Sequence, residues 1–409
     1  KDIRFNSKEC KPNDIFFAIQ GNNYDGNKYI YDAINNGAKI IVSNLRLRST
    51  KKKKVLFIHS KDTRKMLSEI SSQLYNLKPN NIVAVTGTNG KTSIANFYQQ
   101  ILSLNNKKVA SIGTLGVLSK QLNLKTNNTT IDSVSIHKIL QKLKKLRVNN
   151  VIIEASSHGL KQQRLNNIKF KTVLFTNLSR DHLDYHKTIK DYLNSKLILF
   201  DKLVKTKGNI IFDEKTKETK QLKIISKKRK LREYTFGSTK SFIRIIDIKK
   251  INDHNKINCI IKGKKYSFKT TLIGKIQIKN LMFAIMAAYL SKLKINEILK
   301  IIHKIKPIKG RFEKIGRIKN NANVILDYAH TPNALKTAIF NLKEEFPLSK
   351  ISLVFGCGGN RDKDKRSIMG SIAKKYCDDV YLTDDNPRTE NPKLIRKQIK
   401  KGLKNKKFF

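Results

Sequence analysis

The sequence predicts an α/β protein of several domains, and two observations support this. The chain has 409 residues, the length of two or three ordinary domains. From residue 82 onwards, short apolar strands alternate with helical segments, a pattern typical of a parallel sheet covered on both faces. Hydrophobic residues make up 39% of the chain, which is enough to build such cores, so a wholly disordered chain is excluded.

Two breaks in this pattern divide the chain into three units. The first break is Lys-Pro-Asn-Asn at residues 78–81, and the second is Lys-Pro-Ile-Lys-Gly at 306–310. Proline and glycine interrupt regular structure, so clusters of this kind mark connections between elements. We therefore expect domains at residues 1–78, 79–305 and 306–409.

The elements of each unit follow from the spacing of apolar residues. In the first unit we expect strands at 14–19 and 37–43 and a helix at 62–77. The central unit is predicted to hold strands at 82–86, 151–154 and 172–176 and helices at 91–104 and 188–204. The last unit is predicted to alternate strand and helix, as a second α/β unit, at 324–327, 333–345, 351–355, 366–376 and 379–383.

The charge of the chain is unusual. Lys and Arg number 85 against 31 Asp and Glu, a formal net charge of +54. Such an excess usually indicates a nucleic acid or an anionic membrane as partner. Here the basic residues are spread over the whole chain, which favours a compositional bias and no specific nucleic acid. A polyanion-binding protein stays open as the alternative from another class.

The apolar runs, the N-terminal sequence and the cysteine spacing predict a cytoplasmic protein. The longest apolar run is residues 281–290, which predicts a buried helix too short to span a bilayer. No signal-peptide pattern is present, and none of the four cysteines stands in a Cys-x-x-Cys pair, which fits a reducing compartment. The chain begins with Lys-Asp and not with Met, so we expect the sequence to be a fragment.

The most specific motif is Thr-Gly-Thr-Asn-Gly-Lys-Thr at residues 86–92, between a predicted strand and a predicted helix. Glycines let backbone N–H groups approach a phosphate, and the helix N-terminus adds partial positive charge. Lys91 supplies a cation and Thr92 a hydroxyl ligand for Mg²⁺. The general phosphate-loop pattern has Gly where this chain has Val85. An ordinary Gly-rich turn is the alternative, and the order strand, loop, helix argues against it.

Polar residues also cluster where the predicted strands end. In open α/β sheets, ligands bind outside the carboxyl ends of the strands. One such cluster alone is equally consistent with an ordinary polar loop, but five in register with the strands favour a common site. The clusters begin at Glu154, Asn177, Asp327, Gly356 and Asp384.

Several of these residues are candidates for a metal site. Mg²⁺ prefers oxygen ligands, so Glu154 is the natural partner of Thr92, and His182 is a less usual one. Taken singly, Glu154 could be a helix cap, His182 a satisfied loop histidine and Arg388 a surface charge. Lys196 lies on a predicted helix, and from the residues alone a solvated lysine is the simplest interpretation.

Together the motifs resemble those of the Mur ligase family, in the order of that family and over nearly the whole chain. Besides the phosphate loop, they are Glu-Ala-Ser-Ser-His-Gly-Leu from residue 154 and Asn-Leu-Ser-Arg-Asp-His-Leu-Asp-Tyr-His from 177. Gly-Arg-Phe-Glu from 310, Asp-Tyr-Ala-His-Thr-Pro from 327 and Asp-Asn-Pro-Arg from 385 complete the set.

The resemblance implies a three-domain architecture. It comprises an N-terminal UDP-sugar-binding domain, a central ATP-binding ligase domain with a phosphate loop on a parallel sheet, and a C-terminal Rossmann-like domain that binds the amino acid. The family continues to a Gly-Lys-Gly-His-Glu type segment, whereas this sequence ends at residue 409. We therefore expect the last domain to be truncated and incomplete.

The resemblance also implies an activity. The expected enzyme is an ATP-dependent ligase of cytoplasmic peptidoglycan precursor synthesis, a monomer that joins meso-diaminopimelate to UDP-N-acetylmuramoyl-L-alanyl-D-glutamate. ATP would convert the glutamyl carboxylate into an acyl phosphate, with Mg²⁺ offsetting the repulsion between anions. Lysine-adding and folylpolyglutamate-type ligases, and an inactive truncated remnant, remain alternatives.

Roles for single residues follow from the same resemblance. Lys91, Lys196, His182 and Glu154 would be catalytic, with Thr92, Glu154 and His182 serving the metal and Lys196 carbamylated. ATP would be bound by Gly87, Thr88, Asn89, Gly90, Lys91, Thr92, Asn280, Arg311, Asp327 and His330. The UDP-muramoyl-dipeptide would contact Ser7, Thr129, Thr130, Ser156, Gln162 and Arg164. Diaminopimelate would contact Arg361, Asp385, Asn386 and Arg388.

Overall fold

The computed structural model describes residues 2–21, 24–46, 54–251, 254–318 and 322–404, and the following account concerns those residues. The first unit is a four-stranded parallel sheet in the order β1-β2-β3-β4. Its elements are β1 (Ile3–Arg4), β2 (Ile15–Phe17), α1 (Ile30–Asn35), β3 (Ile40–Ser43), β4 (Leu56–His59) and α2 (Thr63–Leu74). The two predicted strands and the predicted helix are confirmed, with shorter bounds.

The central unit is built on one sheet of eleven strands. Its strands are β5 (Asn81–Thr86), β6 (Val109–Gly113), β7 (Gly116–Leu118), β8 (Asn123–Leu124), β9 (Asn150–Glu154), β10 (Phe170–Phe175), β11 (Val204–Asp213), β12 (Arg232–Phe236), β13 (Ile243–Ile251), β14 (His254–Ile261) and β15 (Lys264–Thr270). Its helices are α3 (Lys91–Leu104), α4 (Ser133–Lys145), α5 (Ser157–Lys161), α6 (Leu183–His186), α7 (Ile189–Ile198), α8 (Thr219–Lys228), α9 (Lys275–Leu290) and α10 (Ile295–Ile301).

The middle of this sheet is parallel, as the sequence predicts. The strand order is β15-β14-β13-β12-β11-β10-β5-β9-β6-β7-β8, and every pair from β6 to β13 is parallel. Both edges are antiparallel extensions that the sequence did not reveal. At one edge the strands are short, and at the other they mix lysine and polar residues with apolar ones, so they lack the continuous apolar run of the middle strands.

The position of β5 explains why its loop is so well held. All six of its residues are buried, and it pairs with β9 on one side and β10 on the other. Helices α3 and α9 pack together on one face of the sheet within a common apolar core. The run at 281–290 is confirmed as part of helix α9, in which residues 281–288 are all buried. The predicted helix at 188–204 is α7, extended by a π-helical turn at Leu199–Leu203.

The last unit contains β16 (Glu313–Arg317), β17 (Asn323–Leu326), α11 (Pro332–Glu345), β18 (Ser352–Phe355), α12 (Asp364–Tyr376), β19 (Asp379–Leu382) and α13 (Pro392–Leu403). The predicted elements are confirmed, each with its ends shifted by a few residues. In the described part of the chain, the strands form two separate pairs: β16 with β17, antiparallel, and β18 with β19, parallel. No described helix is long and apolar enough to cross a membrane.

Candidate active site

The loop between β5 and α3 has the backbone of a phosphate-binding turn. Gly87 and Gly90 have φ angles of 142° and 89°, values that residues other than glycine rarely adopt. A Cβ atom on Gly90 would lie 2.6 Å from the side-chain oxygen of Asn280. One on Gly87 would lie 1.9 Å from the hydroxyl of Thr176. These glycines are therefore required both by conformation and by space.

The carboxyl end of β10 fixes the same loop from the side. The backbone N–H of Thr88 donates to the carbonyl of Asn177 at 2.9 Å, and that of Asn89 donates to the Asn177 side chain at 3.0 Å. The Thr88 hydroxyl also lies 3.2 Å from the hydroxyl of Tyr192 on α7. Parallel strands end at one edge of the sheet, so this edge gathers the polar groups as predicted.

Two lysines meet at this loop. Lys91 Nζ donates to the carbonyl oxygens of Gly87 and Thr88 at 2.9 and 2.8 Å, and Lys196 Nζ donates to the Gly87 carbonyl at 2.8 Å. Burial lowers the pKa of Lys91. Burial, followed by the charge of Lys91, lowers the pKa of Lys196 well below its ordinary value. Lys196 is 1% exposed, so its interpretation as a solvated lysine is wrong.

Glu154, the last residue of β9, connects the start of α3 with the residue that follows β6. Its carboxylate accepts hydrogen bonds from the Thr92 hydroxyl at 2.8 Å and from the backbone and hydroxyl of Thr114 at 3.0 and 3.2 Å. The Thr114 hydroxyl in turn lies 3.1 Å from that of Thr129. Glu154 is therefore no helix cap, because its oxygens face the first turn of α3 and the end of β6.

His182 follows β10 and lies in a group of rings. Its φ angle is 54°, a left-handed conformation that is uncommon for histidine. Its ring stacks edge-on against His158 at 4.8 Å, and Asp181 Oδ2 lies 3.4 Å from its Nε2. Burial lowers the pKa of His182 to about 4, with Asp181 opposing, so the ring is neutral at pH 7.

Residues of the last unit lie opposite the phosphate loop. Arg311 lies with its guanidinium over the Tyr328 ring at 4.3 Å, and Asp327 accepts a hydrogen bond from the backbone of Phe312 at 2.7 Å. Burial raises the pKa of Asp327. His330 Nε2 lies 4.0 Å from Asp181 Oδ2 of the central unit.

One cavity of about 1030 Å³ joins these groups. It is lined by residues of the phosphate loop, by other residues of the central unit, by residues of the last unit, and by the residues predicted to bind diaminopimelate. The predicted site residues in its lining are Thr88, Asn89, Gly90, Lys91, Thr92, Thr129, Glu154, His182, Asn280, Arg311, Asp327, His330, Arg361, Asp385, Asn386 and Arg388. Gly87 and Lys196 lie directly behind it, joined by the hydrogen bond described above.

The other predicted residues lie away from the lining. Thr130, Ser156, Gln162 and Arg164 form a connected network: Arg164 donates to the Thr130 carbonyl at 2.6 Å and to the Gln162 side chain at 2.7 and 3.1 Å. The backbone of Ser156 donates to the Thr130 hydroxyl at 2.9 Å. Ser7 is buried in the first unit and does not line the cavity.

The donor set fits a Mg²⁺ ion. Thr92, Thr114 and Glu154 offer hydroxyl and carboxylate oxygens within one hydrogen-bonded group. No group of three His, Cys, Asp or Glu side chains that could hold a metal exists among the described residues. Mg²⁺ uses one or two carboxylates together with substrate phosphates and waters, which one carboxylate and two hydroxyls suit.

Comparison with known proteins identifies the family. Family models match residues 1–75 (Mur ligase family, catalytic domain), 85–288 (Mur ligase middle domain) and 310–409 (Mur ligase, glutamate ligase domain). A UDP-N-acetylmuramoyl-L-alanyl-D-glutamate–2,6-diaminopimelate ligase of Rickettsia montanensis is 39% identical over 408 residues, covering 98% of this chain and 84% of that protein. The chain belongs to the Mur ligase family. It is therefore an ATP-dependent ligase, as the resemblance of its motifs implies.

Further relatives agree. The protein of the same name from Rickettsia prowazekii is 40% identical over 412 residues, covering 98% of this Mur ligase and 83% of its relative. A solved structure of a UDP-N-acetylmuramoyl-L-alanyl-D-glutamate–2,6-diaminopimelate ligase superposes with a TM-score of 0.74 at 28% identity, covering all of this chain and 83% of that one. The predicted three-domain Mur ligase fold is confirmed.

Sequence reasoning missed several residues of the site. Thr114 holds Glu154, Tyr192 contacts both Thr88 and Lys196, and Asp181 lies between His182 and His330. Asp181 stood in a cluster that the sequence marked, so its position was a usable signal. Thr114 and Tyr192 carry no such signal, because nothing in their local sequence distinguishes them from ordinary strand-end and helix residues.

Proposed function

We propose that this Mur ligase adds meso-diaminopimelate to UDP-N-acetylmuramoyl-L-alanyl-D-glutamate in peptidoglycan precursor synthesis, in the cytoplasm. The relatives that carry the name of this reaction support the choice of substrates. From this chain itself, the supporting observation is the single cavity, in which a phosphate loop faces a cluster of guanidinium and amide groups. ATP and an amino acid can meet there within one chain, so we also propose that the enzyme acts as a monomer.

The chemistry follows from the difficulty of joining a carboxylate to an amine. The glutamyl carboxylate takes the γ-phosphoryl group of ATP, giving an acyl phosphate and ADP. The amine of diaminopimelate attacks the acyl carbon, and the tetrahedral intermediate collapses to an amide with loss of phosphate and a proton. Lys91 and Arg311 line the cavity and supply positive charge for the charge that develops on the transferred phosphoryl group.

Mg²⁺ would be held by Thr92 and Glu154, with His182 nearby. When bound, it supplies charge neutralisation between the phosphate chain and the incoming carboxylate. The chain's own residues hold the nucleotide: the backbone of residues 87–90 cradles the phosphates, and Asn280 contacts the loop at Gly90. Asp327 and His330 complete the nucleotide site from the last unit.

We propose that Lys196 is carbamylated. Carbon dioxide reacts with a neutral amine to give a carbamate and a proton, and burial favours the neutral amine of Lys196. The product replaces this neutral amine with an anion close to Lys91, and the positive charge of Lys91 stabilises that anion. The modified side chain could then orient a second Mg²⁺ ion.

The sugar nucleotide would bind across the first two units. Thr129, Thr130, Ser156, Gln162 and Arg164 would contact the muramoyl-dipeptide, and Ser7 the uridine end. The shared hydrogen bonds among four of these residues support a common surface. We keep the domain limits 1–78, 79–305 and 306–409 as part of this proposal.

Arg388 carries the choice of amino acid. Diaminopimelate differs from lysine by one additional carboxylate, and a guanidinium grips a carboxylate with two parallel hydrogen bonds. Arg388 lines the cavity beside Asp385 and Asn386. Arg361, from the neighbouring loop, lines it as well.

The test is phosphate release with UDP-muramoyl-dipeptide and ATP, comparing diaminopimelate with lysine. We expect Arg388→Ala to lower kcat/KM for diaminopimelate about 10- to 100-fold, the size of a lost charged hydrogen bond, with KM for ATP nearly unchanged. Arg147→Ala is the matched control, because Arg147 is also exposed and also has a positive φ angle. Faster release with lysine in the wild type, or equal losses for both substrates in the variant, would count against the proposal.

A further inference from the structure

Two loops carry all four residues that we assign to diaminopimelate. The glycine loop is residues 356–361, after β18, and the Arg388 loop is residues 384–390, after β19. The backbone N–H of Gly359 donates to the carbonyl of Asn386 at 2.9 Å, and the side chains of Asn360 and Thr389 exchange hydrogen bonds of 2.9 and 3.0 Å. The two loops therefore act as one layer.

The two loops pack closely at the glycines. A Cβ atom on Gly359 would lie 1.8 Å from the carbonyl oxygen of Pro387, and one on Gly358 would lie 2.9 Å from Arg388 Nη1. Arg388 Nη1 donates to the Gly359 carbonyl at 2.7 Å. Within the described residues, this and a longer contact to the Asn386 carbonyl are the hydrogen bonds of the guanidinium. Its other N–H groups are thus available to a substrate carboxylate.

A buried arginine lies beneath this layer. Arg366, on α12, is fully buried and donates to Glu390 at 2.8 and 3.0 Å, in a bidentate ion pair. It also donates to Gln398 at 2.6 Å and to the carbonyl of Gly358 at 3.1 Å. One side chain therefore contacts both loops and α13.

Glu390 completes the connection from the other side. It belongs to the Arg388 loop, yet it also accepts a hydrogen bond from the backbone of Asn360 in the glycine loop. The hydrogen bonds from Arg366 lower the pKa of Glu390 to about 2, so the pair is ionised near neutral pH. Its two partners thus lie on α12 and in the glycine loop.

Stability alone is a weak reason for such a pair. Removing two charges from water costs much of what their attraction returns, and apolar residues of similar volume are often equally good. Arg366 Nε moreover has no hydrogen-bond partner among the described residues. What an apolar pair could not supply is the directional link between two loops, because only hydrogen-bonding groups can fix Gly358 and Asn360 relative to Glu390.

We propose that Arg366 and Glu390 are positioning residues that set amino-acid selectivity. They hold the glycine loop and the Arg388 loop at the spacing at which Arg388 meets the second carboxylate of the substrate. This inference rests on the proposed function, and it assigns the selectivity to a pair that lies outside the cavity lining.

The experiment compares wild type with Glu390→Gln and Glu390→Asp. Gln has the same shape but places an N–H group against the donors of Arg366 or Asn360, whereas Asp keeps the charge on a shorter side chain. We expect Glu390→Gln to raise KM for diaminopimelate about tenfold and to lower the diaminopimelate-to-lysine ratio of kcat/KM about tenfold. KM for ATP should stay within twofold, and Glu390→Asp should recover part of the ratio.

Asp14→Asn is the matched control. Asp14 is buried and forms an ion pair with Arg4 at 3.1 Å, as Glu390 does with Arg366, but in the first unit. We expect this variant to lower Tm without changing the diaminopimelate-to-lysine ratio.

Each outcome decides the matter. An unchanged ratio in both Glu390 variants, or a loss shared equally by all substrates together with a fall in Tm, overturns the positioning role and leaves the proposed function intact. A wild-type chain that releases no phosphate in response to diaminopimelate overturns both. A selective loss of diaminopimelate use in Glu390→Gln supports both, whether or not Tm falls, because the Asp14→Asn control shows what a fall in Tm alone does to the ratio.

Discussion

The two halves of the cavity are built in different ways. The phosphate half consists of buried strand ends, the N-terminus of α3 and side chains that contact one another across the sheet, such as Thr92 with Glu154. The amino-acid half consists of two loops of the last unit, of which the Arg388 loop is mostly exposed, joined by the Arg366–Glu390 pair beneath them. The former is rigid because the main sheet forms it, and the latter depends on a few side-chain contacts.

This difference suggests how the enzyme divides its tasks. Handling of ATP requires a fixed cradle, which the sheet provides whatever amino acid is used. Choice of the amino acid requires a surface that changes without disturbing that cradle, and loops on a separate unit provide it. Variants of the phosphate half should therefore abolish the reaction, whereas variants of the amino-acid half should change its selectivity.

The largest expected effect is in the phosphate half. Lys91→Ala should lower the rate of ATP-dependent ligation at least about 1000-fold, because a preorganised cation near the transferred phosphoryl group is lost. Phosphate release with diaminopimelate measures it, and the exposed Lys107→Ala is the control. Near-normal activity in a folded Lys91→Ala protein would show that this loop does not hold the phosphates of ATP. The proposed difference between the phosphate half and the amino-acid half would then also be wrong.

The next effect concerns the buried lysine behind the loop. Lys196→Ala should lower activity about 100-fold or more, and short carboxylic acids such as acetate should restore part of it by replacing the carbamate. Lys190→Ala, at an exposed position of the same helix, should behave as wild type. Wild-type rates in Lys196→Ala, or a loss that no carboxylic acid relieves at any concentration, would contradict carbamylation.

The smallest effect is on stability against acid. Burial lowers the pKa of His158, His182 and His186, near the phosphate half, to about 4, against about 6.5 in an unfolded chain. Between these values the unfolded state binds more protons, so the free energy of unfolding should fall as pH falls from 6.5 to 4. Glu390, with a pKa of about 2, stabilises the fold above the unfolded-state pKa and loses that contribution only at lower pH.

Denaturant unfolding at several pH values between 7 and 4.5 measures this dependence. His186→Asn should make it shallower, since the fully buried His186 ring no longer contributes. Glu390→Gln should leave its steepness unchanged above about pH 5.5, where this carboxyl is ionised in both the folded and the unfolded state. If the pH dependence of unfolding changed in Glu390→Gln and not in His186→Asn, the acid sensitivity would arise in the amino-acid half and not in the phosphate half, against this prediction.

The sequence could predict what is local. The phosphate loop is contiguous in sequence, so the strand, the two glycines, Lys91 and Thr92 could all be recognised from the sequence. Helix α3 begins and ends as predicted. The buried helix at 281–290 was legible for the same reason. The antiparallel edges of the central sheet were not, because strands such as β13 and β15 are rich in lysine and their pairing depends on distant segments.

By itself, the sequence determined the fold class, the phosphate loop and the family, since each rests on neighbouring residues or on motifs in a fixed order. The tertiary structure alone decided that Lys196 is buried beside Gly87 and not solvated, that Thr114 holds Glu154, and that Arg366 links two loops through Glu390. These facts depend on contacts between residues far apart along the chain. Burial and charge pairing arise only when such segments meet, so no local pattern records them.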